Sequence, residues 1–165
     1  MRKALYILGD LEDRDILWLS RSGSVRALVP GEVLIQAGRA VSELYFVTDG
    51  SFEVTAGGQR LATLALGDAV GEMSFVEKRL PGATVTALDH GRVLAVPREA
   101  ILAEFERDSG FAARFYHALA VFLSDRLRSA TSQDGDELDE AILDTVSLAG
   151  ERFVRLVALL EGRER

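Results

Sequence analysis

The residues whose types and spacing could do chemistry lie in one short segment, between Gly67 and Ala87. An apolar run ends at Leu66, and a glycine-containing turn follows it. The next residues, Gly71-Glu72-Met73-Ser74-Phe75-Val76, predict a short helical turn. Glycines allow a close backbone approach to an anion, and free N–H groups at a helix start can bind phosphate oxygens. The carboxylate of Glu72 beside them suits a ribose hydroxyl.

The spacing of this segment also has a purely structural interpretation. Gly-Glu pairs are common, so Glu72 could simply cap a turn while Ser74 is solvated. The strand predicted over 83–88 returns after the segment and would close a pocket beside it.

Residue types that carry out catalysis or bind metals are scarce. The chain has no cysteine, which excludes disulfides, thiolate chemistry and cysteine-based zinc sites. His90 and His117 are the only histidines, they are far apart in sequence, and neither has a motif neighbour. Nucleophile-elbow, Walker and Rossmann patterns are missing. We therefore expect no catalytic residues and no metal site, and we expect that the protein is not an enzyme.

Length and composition describe one globular domain with accessory helices. The 165 residues are 48% apolar and 27% charged, enough to bury a core without disulfides. The net charge of −7 would repel a phosphate backbone. The apolar run over 4–8 is shorter than the roughly 7–15 residues of an export signal. No stretch approaches the ~20 apolar residues of a membrane span. We expect a cytoplasmic protein that binds neither DNA nor membranes.

Short apolar runs separated by glycine-containing turns fill the middle of the chain. They are Val25–Val29, Val33–Gln36, Leu44–Thr48, Phe52–Ala56, Leu61–Leu66, Thr84–Leu88 and Val93–Val96. Strands of this length at this spacing predict an antiparallel roll or sandwich. The pair Asp49-Gly50, which lies between two of the runs, predicts a tight hairpin because both residues tolerate positive φ.

Helical periodicity occurs on both sides of this β region. Residues 10–22 predict a short amphipathic helix with Asp10 as its N-cap. Apolar residues at helical spacing predict a long helix over Phe111–Leu127 and a second over Leu138–Leu160, with a polar linker at 132–136 between them. The predicted fold is α+β and mainly β: an antiparallel β-roll or jelly roll with an N-terminal helix and two long C-terminal helices.

Several separated motifs of the β region occur together in a familiar order. The sequence Gly71-Glu72-Met73-Ser74-Phe75 followed by Ala83-Thr84-Val85-Thr86-Ala87 resembles the phosphate-binding cassette of the cyclic-nucleotide-binding domain family. Residues 30–35 and 44–50 resemble the family's first strands, and Gly67-Asp68 resembles its turn before the cassette. The resemblance extends roughly from residue 10 to residue 128.

The resemblance implies a β-roll flanked by helices, with cyclic AMP or cyclic GMP held between the cassette and the roll. It also implies that Glu72 binds the ribose 2′-hydroxyl and that the helix over 111–127 is a dimerisation helix. The remaining ligand contacts that it implies are backbone donors around Gly71, Met73 and Ser74, which face the cyclic phosphate, and the positions of Ala83 and Thr84.

One position departs from the family's pattern. The family places an arginine two residues before the alanine matched by Ala83, and that arginine pairs with the phosphate. Pro81 stands there in this chain, with neither a charge nor an N–H to offer. Arg79 could pair with the phosphate in place of the missing arginine, or it could be a solvated charge of the loop. We therefore predict weak, altered or absent cyclic-nucleotide binding.

These observations divide the chain into four segments: an N-terminal helical segment over 1–24, a cyclic-nucleotide-binding-like β-roll over 25–108, a dimerisation-type helix over 109–131, and an acidic linker with the C-terminal helix over 132–165. The stripe of the 111–127 helix contains three phenylalanines, which is large for a helix lying on a compact roll. We expect a homodimer through this helix, and packing of the stripe on its own roll is the alternative.

Two functions are consistent with this organisation. After Arg128 come 37 residues with nine acidic and four basic side chains, which do not suit a helix-turn-helix facing phosphates, so no DNA-binding output is expected. In the first function, the chain is a sensor in which a ligand shifts the pose of the terminal helices. In the second, it is a ligand-free adaptor whose roll and helices bind a partner protein.

Overall fold

The computed structural model describes residues 3–131 and 140–162. Two four-stranded sheets form a β-roll with helices at both ends, so the predicted fold class is confirmed. The polar linker predicted at 132–136 lies outside the described residues. The helices are α1 (Lys3–Asp10), α2 (Asp13–Ser22), α3 (Glu72–Glu77), α4 (Arg98–Arg107), α5 (Ser109–Thr131) and α6 (Glu140–Glu161). The strands are β1 (Ser24–Leu28), β2 (Val33–Ile35), β3 (Glu43–Asp49), β4 (Phe52–Ala56), β5 (Gln59–Leu64), β6 (Ala69–Val70), β7 (Thr84–Ala87) and β8 (Gly91–Pro97).

The two sheets have the orders β1-β8-β3-β6 and β2-β7-β4-β5, and every pair of neighbours is antiparallel. In β3, Tyr45 and Val47 point into the core between the sheets, whereas Leu44 and Phe46 belong to a second core shared with the helices. Alternate residues of a strand face opposite sides, so a strand covered on both sides is apolar throughout. The continuous run Leu44–Val47 therefore reflects burial on both faces.

The predicted hairpin at Asp49-Gly50 is wrong. This turn carries the chain from one sheet to the other, because β3 pairs with β8 and β6, whereas β4 pairs with β5 and β7. Gly50 has a φ of +76°, and a Cβ on it would lie 2.6 Å from the Cα of Gly91. Gly50 is thus needed because the turn between β3 and β4 passes close to the turn that precedes β8. The tight hairpin of this region joins β4 to β5 at Gly57-Gly58.

The N-terminal region contains two helices where the sequence predicted one. Asp10 is the last residue of α1, so its assignment as an N-cap is wrong. The second helix begins at Asp13, with Glu12 as N-cap, and the Glu12 N–H donates a hydrogen bond of 2.7 Å to Asp15. A carboxylate at this position satisfies an N–H that the helix itself cannot pair.

The apolar stripe of α5 packs inside its own chain. Four of its side chains share one core with α1, α2, α4 and α6; they are Phe111, Phe115, Ala118 and Leu119, and Phe122 is buried as well. The side chains of α6 in this core are Phe153, Leu156 and Leu160. This part of the stripe does not need a second copy to bury it, whereas Leu127 at the C-terminal end of the predicted stripe is 67% exposed. The homodimer stays a prediction.

Polar contacts fix α6 against the N-terminal helices. Arg152 donates hydrogen bonds to the carbonyl oxygens of Leu8 and Gly9, and Arg155 pairs with Asp13. The last carbonyls of α1 have no partner within their helix and carry partial negative charge, so a cation stabilises them. Among the helices of residues 3–131 and 140–162, none is long and apolar enough to cross a membrane.

Candidate functional site

A cavity of about 370 Å³ lies beside the second sheet, between that sheet and the segment from Gly71 to Ala83. Its volume is in the range of sites for small molecules, about 300–1,000 Å³. The side chains that the strands contribute to its wall are all apolar; they are Ile35, Val54, Leu61, Ala62, Leu64, Val70 and Val85.

The glycine before α3 positions this short helix at the cavity. Gly71 has a φ of +99°, which L side chains rarely adopt. A Cβ at this position would lie 2.8 Å from the carbonyl oxygen of Glu43 in β3. Only glycine therefore lets the chain turn here against the first sheet and enter α3. The short helical turn predicted over 71–76 is confirmed, and it spans Glu72–Glu77.

Aromatic packing ties α3 to the C-terminal helices. The buried ring of Phe75 lies 6.2 Å from that of Phe105 in α4 and 5.6 Å from that of Phe115 in α5, measured between centroids. Arg98, the first residue of α4, donates a hydrogen bond of 3.3 Å to the carbonyl oxygen of Ser74. Its guanidinium also lies 5.5 Å from the centroid of the Phe75 ring. A movement of α3 would therefore disturb its packing against α4 and α5.

The structure brings together six of the seven predicted site residues. Those that line the cavity are Gly71, Glu72, Met73, Ser74, Arg79 and Ala83. Thr84 is the exception, because its hydroxyl oxygen accepts hydrogen bonds from the Ala37 N–H at 3.1 Å and from the Gln36 side chain at 3.4 Å. Thr84 therefore ties β7 to the turn after β2, and it does not belong to the cavity wall.

Glu72 brings a carboxylate into a largely apolar space. It is only 4% exposed, and Ser74 beside it is also buried. A carboxyl group at this depth interacts strongly with its surroundings, since the protein interior screens charge much less than water does.

The position that departs from the family's pattern is part of the cavity wall. Pro81 lines the cavity, and its carbonyl oxygen accepts a hydrogen bond of 2.9 Å from the Gly38 N–H. Arg79 also contributes to the wall, but its side chain is 83% exposed and its nearest acidic partner is Glu77, at 3.7 Å. Among the described residues of the cavity wall there is one arginine, and its side chain thus lies in solvent.

Sequence reasoning missed the apolar side of this cavity. Leu61 and Ala62 in β5 and Leu80 in the loop after α3 line it, and none of them was a candidate. Leu61 and Leu80 are each 61% exposed. An apolar residue that follows a glycine hairpin is indistinguishable in sequence from a core strand residue, so only the topology shows which side it faces.

The described residues carry little that suggests another kind of site. Residues 3–131 and 140–162 contain no cluster of three potential metal ligands. His117 contacts Asp10, with 2.7 Å between Nδ1 and Oδ2, and this contact links α5 to the end of α1. This histidine therefore makes a polar contact between two helices.

The cavity, the cassette and the roll define a class of regulatory ligand-binding domain. The family model described as "Cyclic nucleotide-binding domain" matches residues 25–108, about half of the chain. The chain belongs to this family.

The comparisons with known proteins agree with this assignment. The human voltage-gated delayed rectifier potassium channel KCNH5 is 31% identical over 121 residues, which cover 67% of this chain but 12% of the channel. The chain thus spans about an eighth of the length of this channel.

Solved structures reproduce the fold at lower identity. The N-terminal domain of a transcriptional regulator from Streptomyces coelicolor has a TM-score of 0.66 and 24% identity, and the match covers 80% of this chain and 95% of that domain. The catabolite activator protein of Thermus thermophilus has a TM-score of 0.63 and 23% identity, over 93% of this chain and 85% of the other. At these identities the likeness shows the fold alone.

Proposed function

We propose that this chain is a non-enzymatic regulatory sensor module whose cavity binds a small ligand, and that cyclic AMP and cyclic GMP bind to it weakly or not at all. The observation that carries this proposal is Pro81, which lines the cavity at the position where the family places its phosphate-binding arginine. We further propose that the protein is cytoplasmic and does not bind DNA. The reason for the second point is the net charge of −7, which repels a phosphate backbone.

The reduced affinity for cyclic nucleotides follows from charge. A cyclic phosphate carries one negative charge, and a charge-assisted hydrogen bond to it contributes roughly 1.5–3 kcal/mol. Losing that contribution lowers affinity by about one to two powers of ten. Arg79 would have to leave solvent and its contact with Glu77 to replace the missing group.

The regulatory part of the proposal rests on the contacts of α3. Phe75 joins the cavity side of the molecule to α4 and α5 through its contacts with Phe105 and Phe115. A ligand shifts a conformational equilibrium only by its differential affinity for the two states. A ligand that contacts α3 in only one of two poses would therefore move the helices that follow the roll.

Calorimetric titration with cyclic AMP and cyclic GMP tests this proposal. We expect no saturable heat below millimolar ligand for the natural sequence, and an affinity gain of about tenfold or more for Pro81→Arg. Val29→Arg is the matched control, because Val29 is exposed and is not among the cavity residues, so the added charge should change nothing. Micromolar binding by the natural sequence that Pro81→Arg does not improve would contradict the proposal.

A second candidate function is that of a ligand-free adaptor that binds a partner protein. It is favoured by exposed apolar side chains at the cavity mouth, of which Leu61 and Leu80 are the most exposed. A homodimer would be one form of such an interaction. Sedimentation equilibrium should then give about twice the mass of one chain, and a monomer at micromolar concentration would rule the homodimer out.

A further inference from the structure

A second apolar cavity lies where α6 passes the turn between β5 and β6, and we call it the α6 groove. Its volume is about 490 Å³, and the turn contributes Leu66 and Gly67 to its wall. Among the described residues that line it, Glu161 is the only one that ionises. The other residues that α6 contributes are apolar or glycine; they are Gly150, Phe153, Val154, Val157 and Ala158.

The apolar residues of the α6 groove reach the solvent. Val154 is 68% exposed and Leu66 is 46% exposed. A Cβ on Gly150 would have no atom within 4 Å, so the groove is open at this point. Exposed apolar side chains that gather at one place mark interaction sites.

The length of the α6 groove suits another helix. From Gly150 to Glu161 it follows α6 for about 17 Å, at a rise of about 1.5 Å per residue, which is about three helical turns. Gly150 and Ala158 have little or no side chain, and small residues let two helices approach closely. An amphipathic helix that lays its apolar face in such a groove is a common mode of recognition.

The charges of α6 are divided between two sides of this helix. Arg152 and Arg155 contact the N-terminal helices, the first at the last carbonyls of α1 and the second at Asp13. Glu151 and Glu161 have no cationic partner among the side chains that the structure describes. Glu161 lines the groove, and Glu151 lies three residues before Val154 on the neighbouring turn of the same face.

The roll does not compensate these carboxylates. Arg92 lines a neighbouring cavity together with Glu161, but it pairs with Asp49 at 3.7 Å. Three carboxylates, those of Asp49, Glu151 and Glu161, thus stand against the guanidinium of Arg92 around this surface. The whole chain has a net charge of −7. A positively charged partner is therefore attracted here, and a negatively charged one is repelled.

We propose that the α6 groove binds an amphipathic helix of a partner protein, with an apolar face that covers Val154 and Leu66 and with lysine or arginine side chains that pair with Glu151 and Glu161. A second copy of this chain fits the groove less well, because it brings the same carboxylates and the same net charge. The inference goes beyond the proposed sensor function and does not depend on it, since none of the groove residues lines the cavity beside the cassette.

Three fluorescein-labelled peptides of about 15 residues test the chemistry of the partner. The first has leucines at i, i+3 and i+4 spacing and lysines elsewhere. The second replaces every lysine by glutamate, and the third keeps the composition of the first in an order that gives no apolar face. By fluorescence anisotropy we expect the first to bind saturably and the other two to bind at least about tenfold more weakly. Equal binding by either of the other two would overturn the inference.

Gly150→Phe locates the binding. The ring fills the α6 groove, and the change should not lower the free energy of unfolding, because glycine is a poor helix former. We expect the lysine peptide to bind at least about tenfold more weakly to this variant. Ala103→Phe is the matched control, since Ala103 is an exposed residue of α4 outside the groove, and it should change nothing. If Gly150→Phe binds the peptide as the natural sequence does, the peptide binds elsewhere and the inference fails.

A pair of double variants tests the charges. Glu151→Gln with Glu161→Gln should weaken the lysine peptide about fivefold or more and reduce the salt dependence of its binding. Glu99→Gln with Glu106→Gln removes two exposed carboxylates of α4 instead, so it changes the net charge equally. If both double variants weaken the peptide to the same extent, the attraction is to the net charge of the chain, and the assignment to the groove is wrong.

Sedimentation velocity distinguishes a partner helix from a second copy. We expect Gly150→Phe to leave the oligomeric state of the chain unchanged at micromolar concentration. A dimer of the natural sequence that Gly150→Phe dissociates would assign the α6 groove to a second copy and would overturn the proposed partner.

Discussion

Arg114 in α5 donates two hydrogen bonds to Asp15 in α2, from Nε to Oδ2 at 2.8 Å and from Nη2 to Oδ1 at 2.9 Å. Asp15 is 3% exposed. The hydrogen bond to Asp15 is the main reason that the pKa of Arg114 is raised, although burial acts in the opposite direction. This pair joins the helices that precede the roll to those that follow it, and paired planar groups of this kind fix orientation as well as distance.

Removing only one member of this ion pair should lower the free energy of unfolding strongly. Arg114→Met leaves the Asp15 carboxylate buried with its main partner gone, and removal of one member of a buried ion pair costs about 3–5 kcal/mol. We expect the free energy of unfolding, measured with urea, to fall by that amount. The double variant Asp15→Leu with Arg114→Met should cost less than the sum of the two single changes, because neither member of the pair is then left as a charge without the other.

Arg107→Met is the control for this comparison. Arg107 in α4 is 80% exposed and lies 3.8 Å from Glu104, which is the geometry of a surface pair. Such pairs contribute about 0–1 kcal/mol. Equal losses for Arg107→Met and Arg114→Met would show that the α2–α5 pair does not hold the two ends of the chain together.

The glycine that precedes α3 provides a second prediction. Gly71→Ala should lower the free energy of unfolding by about 1–3 kcal/mol, because the backbone is left-handed there and the Cβ would meet the Glu43 carbonyl oxygen. Gly82, in the loop that also lines the cavity, has open space around its Cβ position and no left-handed φ. Gly82→Ala should therefore be neutral or slightly stabilising. Urea denaturation of both variants checks the contrast, which would be absent if the turn could relax.

The roll and its cassette could be predicted from the sequence because both depend on local signals. Seven of the eight strands in the described part of the chain coincide with short apolar runs, and the helical turn after Gly71 follows from the glycine that begins it. The strand β6 was missed because two residues, Ala69 and Val70, are too few to show a period.

Features that depend on distant residues could not be predicted in this way. The Asp49-Gly50 turn has the composition of a hairpin, but it connects the two sheets. It does so where the chain passes close to Gly91, a residue that is far away in sequence. The docking of α6 depends on Arg152 reaching carbonyl groups at the end of α1. The direction of the Arg79 side chain could not be predicted for the same reason, since it is set by the geometry of the loop.

The connection between the cassette and the terminal helices can be tested at Phe75. Phe75→Ala removes a buried ring between α3 and the helices α4 and α5, and such changes cost about 3–5 kcal/mol. Phe75→Leu should cost less because it fills part of the space. Val76→Ala is the matched control, since Val76 is the next residue of α3 and is exposed. If both alanine variants unfold at the same urea concentration, the ring does not anchor α3.

Tyr45 makes the stability of the roll sensitive to alkaline pH. Burial, followed by the hydrogen bond of its hydroxyl to Glu43 at 2.9 Å, raises the pKa of Tyr45 to about 12. The unfolded chain has a tyrosine pKa of about 10, so the unfolded state loses this proton first. The stabilisation is therefore complete below about pH 10 and is lost as the pH rises from there towards about 12.

Urea unfolding at about pH 8, 10 and 11, in the natural sequence and in Tyr45→Phe, checks this pH dependence. Other groups titrate in both proteins, so the difference between the two curves isolates Tyr45. We expect the advantage that the natural sequence has at pH 8 to shrink as the pH rises above about 10. A constant difference between the two curves would contradict the assignment, because it would mean that Tyr45 ionises equally well in the folded and the unfolded chain.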